Sequence, residues 1–400
     1  MARHYPRLYE TVFARHLEQN RQMIFVSGPR QVGKTTTCRR LAGTYLNLDD
    51  MDDRRAIMAG PASLASRLFP ELKGRKRRVV VLDELHKWKK WKGFLKGFFD
   101  KYGNRARIIV TGSSRLDIYR RGGDSMMGRY FQYRMHPLSV GEIARQAYPA
   151  RPIAPPATIP DPEFRALWTH GGYPEPFARR STSFTRQWQS TRLRQLLRED
   201  LRDLTNIQEL AQIETVADLL GKRSASSLVY RNIAESVNSS VDTIRRWVQT
   251  LIYLHHGFIL RPWTRKIARS LVKEPKWYLR DWSGITDPGS RAETFLACHL
   301  LKAVEGWTDL GLGDFSLHYM RDKEHREVDF LVAKNDEPWF LVESKKGDGS
   351  VNPALHYFQK RTGARHAFQV IIDLPYADTD CFSVNDPFKV PALTFLSQLL

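Results

Sequence analysis

At 400 residues, 42% hydrophobic and 26% charged, the chain has room for two to four domains of roughly 100 to 200 residues each. Its 63 basic against 43 acidic side chains leave a formal charge of +20, which points to a polyanionic partner such as nucleic acid. Three scattered cysteines, Cys38, Cys298 and Cys381, exclude a disulfide scaffold or zinc finger, and neither a signal-peptide core in MARHYPRLYETVF nor an apolar run near the roughly 20 residues of a bilayer span is present, which implies a cytoplasmic protein without a membrane partner.

The first 150 residues hold 30 basic and 13 acidic side chains, so most of the excess charge sits there. Three short apolar runs, MIFVSG at 23–28, VVVLDE at 79–84 and RIIVTGSS at 107–114, alternate with helical patterns and read as buried parallel strands. After the first comes Gly28-Pro29-Arg30-Gln31-Val32-Gly33-Lys34-Thr35, which fits GxxxxGK[ST] at every defined position and opens into a helix-like TTTCRRLAG at 35–43, with Thr36 also placed at the nucleotide. Glycines let the backbone N–H groups turn inward on the phosphates of ATP; Lys34 supplies charge and the Thr35 hydroxyl ligates Mg²⁺. The second strand ends in Asp83-Glu84, where a P-loop nucleotidase places its magnesium-binding aspartate and its water-orienting carboxylate. The third runs into Thr111-Gly112-Ser113-Ser114, whose hydroxyls either sense the γ-phosphate or cap the strand.

Between the last two strands, Trp88, Trp91, Leu95, Phe98 and Tyr102 recur at helical steps and are expected in a core, while Lys89, Lys92 and Lys96 share another face. That lysine face and the run Arg75-Lys76-Arg77-Arg78 are candidate phosphate contacts. The proline-rich PARPIAPPATIPDP at 149–162 cannot continue a helix or sheet and marks a boundary. Beyond it, 163–222 is mostly helical, and RNIAESVNSSVDTIRRWVQTL at 231–251 has helix-turn-helix spacing, with Ser239 or Ser240 as the second N-cap and ILRPW as a following wing strand. Thr243, Arg245, Arg246 and Gln249 would project from its second helix. Residues 201–250 carry 6 basic and 6 acidic side chains, however, so DNA reading and a structural or protein-contacting role both stay open.

In the last third, Arg326-Glu-Val-Asp329-Phe-Leu-Val-Ala333 and Trp339-Phe-Leu-Val-Glu343-Ser-Lys345 flank a polar turn at 335–337 and read as a hairpin. Period-2 alternation puts Glu343 and Lys345 on one face, returned toward Asp329; Glu293, on the apparent helix RAETFLACHLL, offers another oxygen. Two carboxylates and a lysine so placed either bind Mg²⁺ or Mn²⁺ for phosphodiester cleavage or decorate a solvated hairpin.

Taken in order, GPRQVGKTT, LDELHKW, VTGSS, Gly128-Arg129 before HPLSVGE, GGYPE at 171–175, the helix-turn-helix and REVDF with VESKK resemble the bacterial and archaeal AAA-type ATPases that carry a C-terminal restriction-endonuclease-like domain of unknown function. The resemblance implies an α/β fold: a P-loop AAA+ module over 1–150, a helical lid over 151–222, a winged helix-turn-helix over 223–275, and an α+β restriction-endonuclease-like PD-(D/E)xK domain over 276–400. It further implies ATP with Mg²⁺, metal held by Asp329, Glu343 and Glu293, water assistance by Lys345, and Arg129 acting on the γ-phosphate or on a neighbouring subunit of a homo-oligomer. The chain departs from the pattern at Val328, where the superfamily signature has proline, and at Asp281-Trp-Ser283, in place of Asp-x-Gly-Leu. The expected function is ATP hydrolysis coupled to cleavage of DNA, with a nucleotide-dependent switch that does not cleave as the alternative.

Overall fold

A computed structural model describes residues 5–69, 77–112, 126–197, 207–264 and 274–400. They form two compact units, one of residues 5–137 with 146–148, the other of residues 138–145 with 149–400. Among the described residues no helix is long and apolar enough to cross a membrane.

The first unit is built on a five-stranded parallel sheet, ordered β2-β3-β4-β1-β5. Its strands are β1 (Met23–Ser27), β2 (Thr44–Asn47), β3 (Arg78–Asp83), β4 (Ala106–Thr111) and β5 (Tyr130–Arg134). Every residue of β1 is buried, as an unalternating apolar run requires of a central parallel strand. Helices α1 (Leu8–Gln19), α2 (Lys34–Leu41), α3 (Met51–Met58), α4 (Pro61–Leu68) and α5 (Trp91–Tyr102) accompany it. On α5 the three- and four-residue spacing places Trp91, Phe94, Leu95, Phe98 and Phe99 inside one core with Phe25, Val80, Leu82 and Ile108; Trp88 and Tyr102 pack against its margin. Gly103 and the strand start at Ala106 end the helix within one short turn.

The second unit opens with the short α6 (Val140–Ala144), whose Glu142 pairs with Lys302, both fully buried. Residues 145–160 form neither helix nor strand, as the prolines dictate. Then come α7 (Asp161–His170), α8 (Pro174–Arg179), α9 (Thr182–Gln195) and α10 (Ile207–Gly221). Next, α11 (Tyr230–Ser236) and α12 (Val241–Tyr253) follow β6 (Ser226–Ser227) and precede β7 (Gly257–Leu260) and β8 (Lys276–Leu279), which pair antiparallel as β6-β8-β7. Of the two candidate caps, Ser240 accepts the Thr243 N–H at 3.1 Å and starts α12. β8, the first strand beyond residue 275, completes this sheet.

The long α13 (Pro288–Asp309) packs on a mixed sheet ordered β13-β12-β11-β10-β9. β9 (Phe315–Arg321), β10 (Glu327–Lys334) and β11 (Glu337–Lys345) are antiparallel; β12 (His366–Ile371) and β13 (Phe388–Pro391) continue parallel after α14 (Pro353–Thr362), and α15 (Ala392–Ser397) closes the chain. Asn335 and Asp336 both take positive φ, 51° and 62°, the backbone of a two-residue hairpin turn whose twist matches its strands. With that turn, Phe330 opposes Val342, so Asp329 and Glu343 meet across the ladder.

Candidate functional site

The loop from β1 to α2, the expected phosphate cradle, is shaped by two glycines. A Cβ on Gly28 would lie 2.2 Å from the Met135 carbonyl, and Gly33 sits at φ 101°, where an L side chain is strained. Lys34, the first residue of α2, is buried and donates to the Gly28 and Pro29 carbonyls at 2.8 and 2.7 Å. Burial pushes its ammonium down to about 8, although Glu84 and Asp83 pull the other way. Thr35 donates to Asp83 Oδ2 at 2.9 Å, so the two residues assigned to magnesium stand side by side. Tyr45, from β2, donates to the same oxygen at 2.5 Å, and Thr111 donates to Oδ1. Arg7, only 3% exposed, donates to the Val32 carbonyl inside the loop and to the His136 carbonyl at 2.6 Å.

Glu84 stands at φ 57°, ψ 22°, left-handed backbone that a non-glycine residue adopts at a cost. Its carboxylate lies 3.4 Å from Lys87, which in turn binds Asp49 at 2.6 Å. Burial raises the Glu84 carboxyl above the usual range, with Lys87 opposing the rise. Pro29, Arg30, Gln31, Val32 and Thr36 line or flank the same cradle. Arg129 makes a two-point ion pair with Asp100, both contacts at 2.9 Å. Ser113 lies outside the described residues, as do Arg75 and Lys76.

On the mixed sheet, Asp329 and Glu343 line one cleft of about 630 Å³, with His325, Arg326, Asn352 and Tyr357 around it. Asp329 Oδ2 accepts the Ser344 N–H at 2.9 Å. Glu343 Oε1 accepts from Lys345 at 2.9 Å and from Asn352 at 2.8 Å. Burial, then the nearby Glu293 and Glu343, hold the Asp329 carboxyl well above its ordinary range. A residue with no sequence signal sits beside them: Lys276 of β8, nearly buried, contacts Glu293 at 2.9 Å, Glu327 at 2.5 Å and Asp329 at 3.7 Å. Burial alone would lower its ammonium, but Glu293, Asp329 and Glu327 outweigh that and raise it. Glu293 also accepts from Tyr278 at 2.7 Å. Among the described residues no group of three or more His, Cys, Asp or Glu side chains converges as a metal cage. Of the three acids expected to hold metal, Asp329 and Glu343 line the cleft together, while Glu293 is paired with Lys276 and Tyr278.

The three lysines expected on one helix face are outside the core, but only Lys92 and Lys96, both half-buried, lie on α5; Lys89, exposed, sits in the turn before it. On α12, Ile244, Trp247, Val248 and Leu251 are buried, whereas Arg245, Arg246 and Gln249 are exposed. Arg245 pairs with Asp242 at 3.4 Å and Arg246 with Glu209 at 3.5 Å.

Residues 20–144 match the family described as AAA domain, and residues 161–285 match a domain of unknown function, DUF8612. Uncharacterized proteins of Mycobacterium tuberculosis (Rv2008c) and Mycobacterium bovis (Mb2031c) are each 22% identical over 341 residues, covering 83% of this chain and 72% of theirs. The solved structure of PCH-2 from C. elegans aligns at 12% identity and a TM-score of 0.26 over 60% of this chain and 68% of that one. The family match supports an AAA-type, nucleotide-hydrolysing domain over residues 20–144.

Proposed function

We propose that the chain is an ATP-hydrolysing AAA+ protein whose C-terminal domain is a metal-dependent nuclease acting on DNA. For the ATPase half, the carrying observation is the approach of Thr35 to Asp83 at 2.9 Å, directly beside the buried Lys34. Lys34 must leave the Gly28 and Pro29 carbonyls for the β- and γ-phosphates, and Thr35 and Asp83 offer a hydroxyl and a carboxylate to Mg²⁺. Glu84, one residue further, orients the attacking water once its carboxylate leaves Lys87.

For the nuclease half, the pairing of Asp329 with Glu343 over one cleft supports the reading, together with Lys345 on Glu343 and the helix-hairpin-strand order of a restriction-endonuclease-like core. Hard carboxylate oxygens in a pair fit a divalent cation that keeps much of its water shell, and a bound cation there would supply Lewis acidity and a more acidic water. Lys345 holds Glu343 and, half-exposed, is within reach of an attacked phosphate. The topology α10-β6-α11-α12-β7-β8 supports a winged helix, with Arg245, Arg246 and Gln249 turned outward. A second reading, a nucleotide switch without cleavage, draws on Lys276, which already neutralises part of the acid cluster. Plasmid and linear DNA incubated with Mg²⁺ or Mn²⁺, with and without ATP, separate the two. Cleavage lost in Asp329→Ala and in Glu343→Ala supports the nuclease; intact DNA in every condition, with ATP turnover preserved, leaves the switch.

A further inference from the structure

Lys276 is a buried ammonium among three acids, two of which, Glu293 and Asp329, are expected metal ligands. Its side chain is 6% exposed, and its Nζ lies 2.9 Å from Glu293 Oε1, 2.5 Å from Glu327 Oε1 and 3.7 Å from Asp329 Oδ1. Tyr278, two residues along β8 and so on the same face, donates to Glu293 Oε1 at 2.7 Å. Arg321 reaches the other Glu327 oxygen from the half-exposed side at 3.6 Å. A buried ammonium persists only with anionic partners, and these contacts commit Glu293 and Glu327 to it.

The remaining oxygens can be counted atom by atom. Asp329 Oδ2 is taken by the Ser344 N–H, and Glu343 Oε1 by Lys345 and Asn352. Asp329 Oδ1 is only loosely approached by Lys276, and Glu343 Oε2 takes no hydrogen bond from a described residue; Asp329 and Glu343 both line the cleft, whereas Glu293, whose Oε2 likewise takes no such bond, does not. Two carboxylate oxygens suffice for one hydrated Mg²⁺ or Mn²⁺. A second divalent ion would need Glu293 or Glu327, whose place beside Asp329 a positive charge already fills.

We propose that Lys276 is a built-in substitute for a second metal ion: it restricts the Asp329–Glu343 site to a single divalent cation. The inference rests on the reading of that pair as a metal site. Its general logic is electrostatic, since an ammonium a few ångströms from a vacant carboxylate position repels an incoming dication as strongly as it satisfies the acids. Under this assignment the cluster runs a one-cation chemistry, with Lys276 stabilising the acids that in a two-ion site would carry the other metal.

Mn²⁺ stoichiometry, read by electron paramagnetic resonance on the full chain without nucleotide, tests it. The parent is expected to bind one Mn²⁺ that Asp329→Ala removes. Lys276→Met, or Lys276→Gln should the methionine variant fail to fold, is expected to bind two, with spin–spin coupling between them; Glu293→Gln added to either returns the count to one. Lys276→Arg, which keeps the charge, stays at one. A charge-removed variant that folds and still binds one ion overturns the role of Lys276 and leaves the metal reading standing. A parent and a Lys276→Gln variant that both bind none overturn the metal reading itself, and this inference with it.

Discussion

Lys34 in the free chain is tied to the carbonyls of its own loop, so nucleotide must displace two hydrogen bonds to claim it. Removing the ammonium removes the phosphate charge: Lys34→Ala should abolish ATP turnover, while Glu84→Gln should bind ATP and retain it unhydrolysed, because only the orientation of water is lost. A steady-state turnover assay with a nucleotide-retention filter measurement reads both. Burial pushes Lys34 down to about 8, which has a pH consequence with a definite sign. Above that value the free lysine is largely neutral, and phosphates favour its charged form; binding at pH 9 should therefore take up about one proton, and at pH 7 very little. Affinity should fall by up to about tenfold per pH unit above 8. Calorimetric titrations in buffers of differing ionisation enthalpy would reveal the uptake; equal proton counts at both pH values would remove Lys34 as its source.

At the level of elements, local periodicity was enough to find α5, α12 and the hairpin, because each encodes its buried face within a few residues: Trp91 with Leu95 and Phe98, Ile244 with Trp247 and Leu251, Asn335-Asp336 at the turn. Partners supplied by distant chain were not legible. Arg7 braces Val32 across 25 positions, Tyr45 reaches Asp83 across 38, and Lys276 reaches Glu293 across 17; no spacing rule announces such meetings, which strand order creates. The insertion of β4 between β1 and β3 is likewise a property of crossovers, with no signature in any one strand. On α5 the two faces should separate experimentally. Trp91→Ala, opening a hole beside Phe25, should cost about 3–5 kcal/mol in a denaturant melt. Changing Lys89, Lys92 and Lys96 together to Gln should alter stability by less than about 1 kcal/mol yet weaken DNA binding and flatten its salt dependence by up to about 3 units of slope. Unchanged salt slope would move the nucleic-acid contact off this helix.

For the whole molecule, the proposed reading gives two units two chemistries, phosphate-anhydride hydrolysis around Lys34, Thr35, Asp83 and Glu84, and phosphodiester cleavage around Asp329, Glu343 and Lys345. If the proposed nucleic-acid contact holds, the basic excess of residues 1–150 places it mainly on the N-terminal part of the chain. We propose that the first chemistry drives the second. One experiment addresses it most directly: cleavage of DNA in Mg²⁺ and ATP followed alongside ATP turnover for the parent, Glu84→Gln and Asp329→Ala. The parent should perform both reactions, Glu84→Gln should bind ATP but neither hydrolyse it nor cut, and Asp329→Ala should hydrolyse ATP without cutting; cleavage by Asp329→Ala at the parent's rate, or undiminished cleavage by Glu84→Gln, would overturn the coupling.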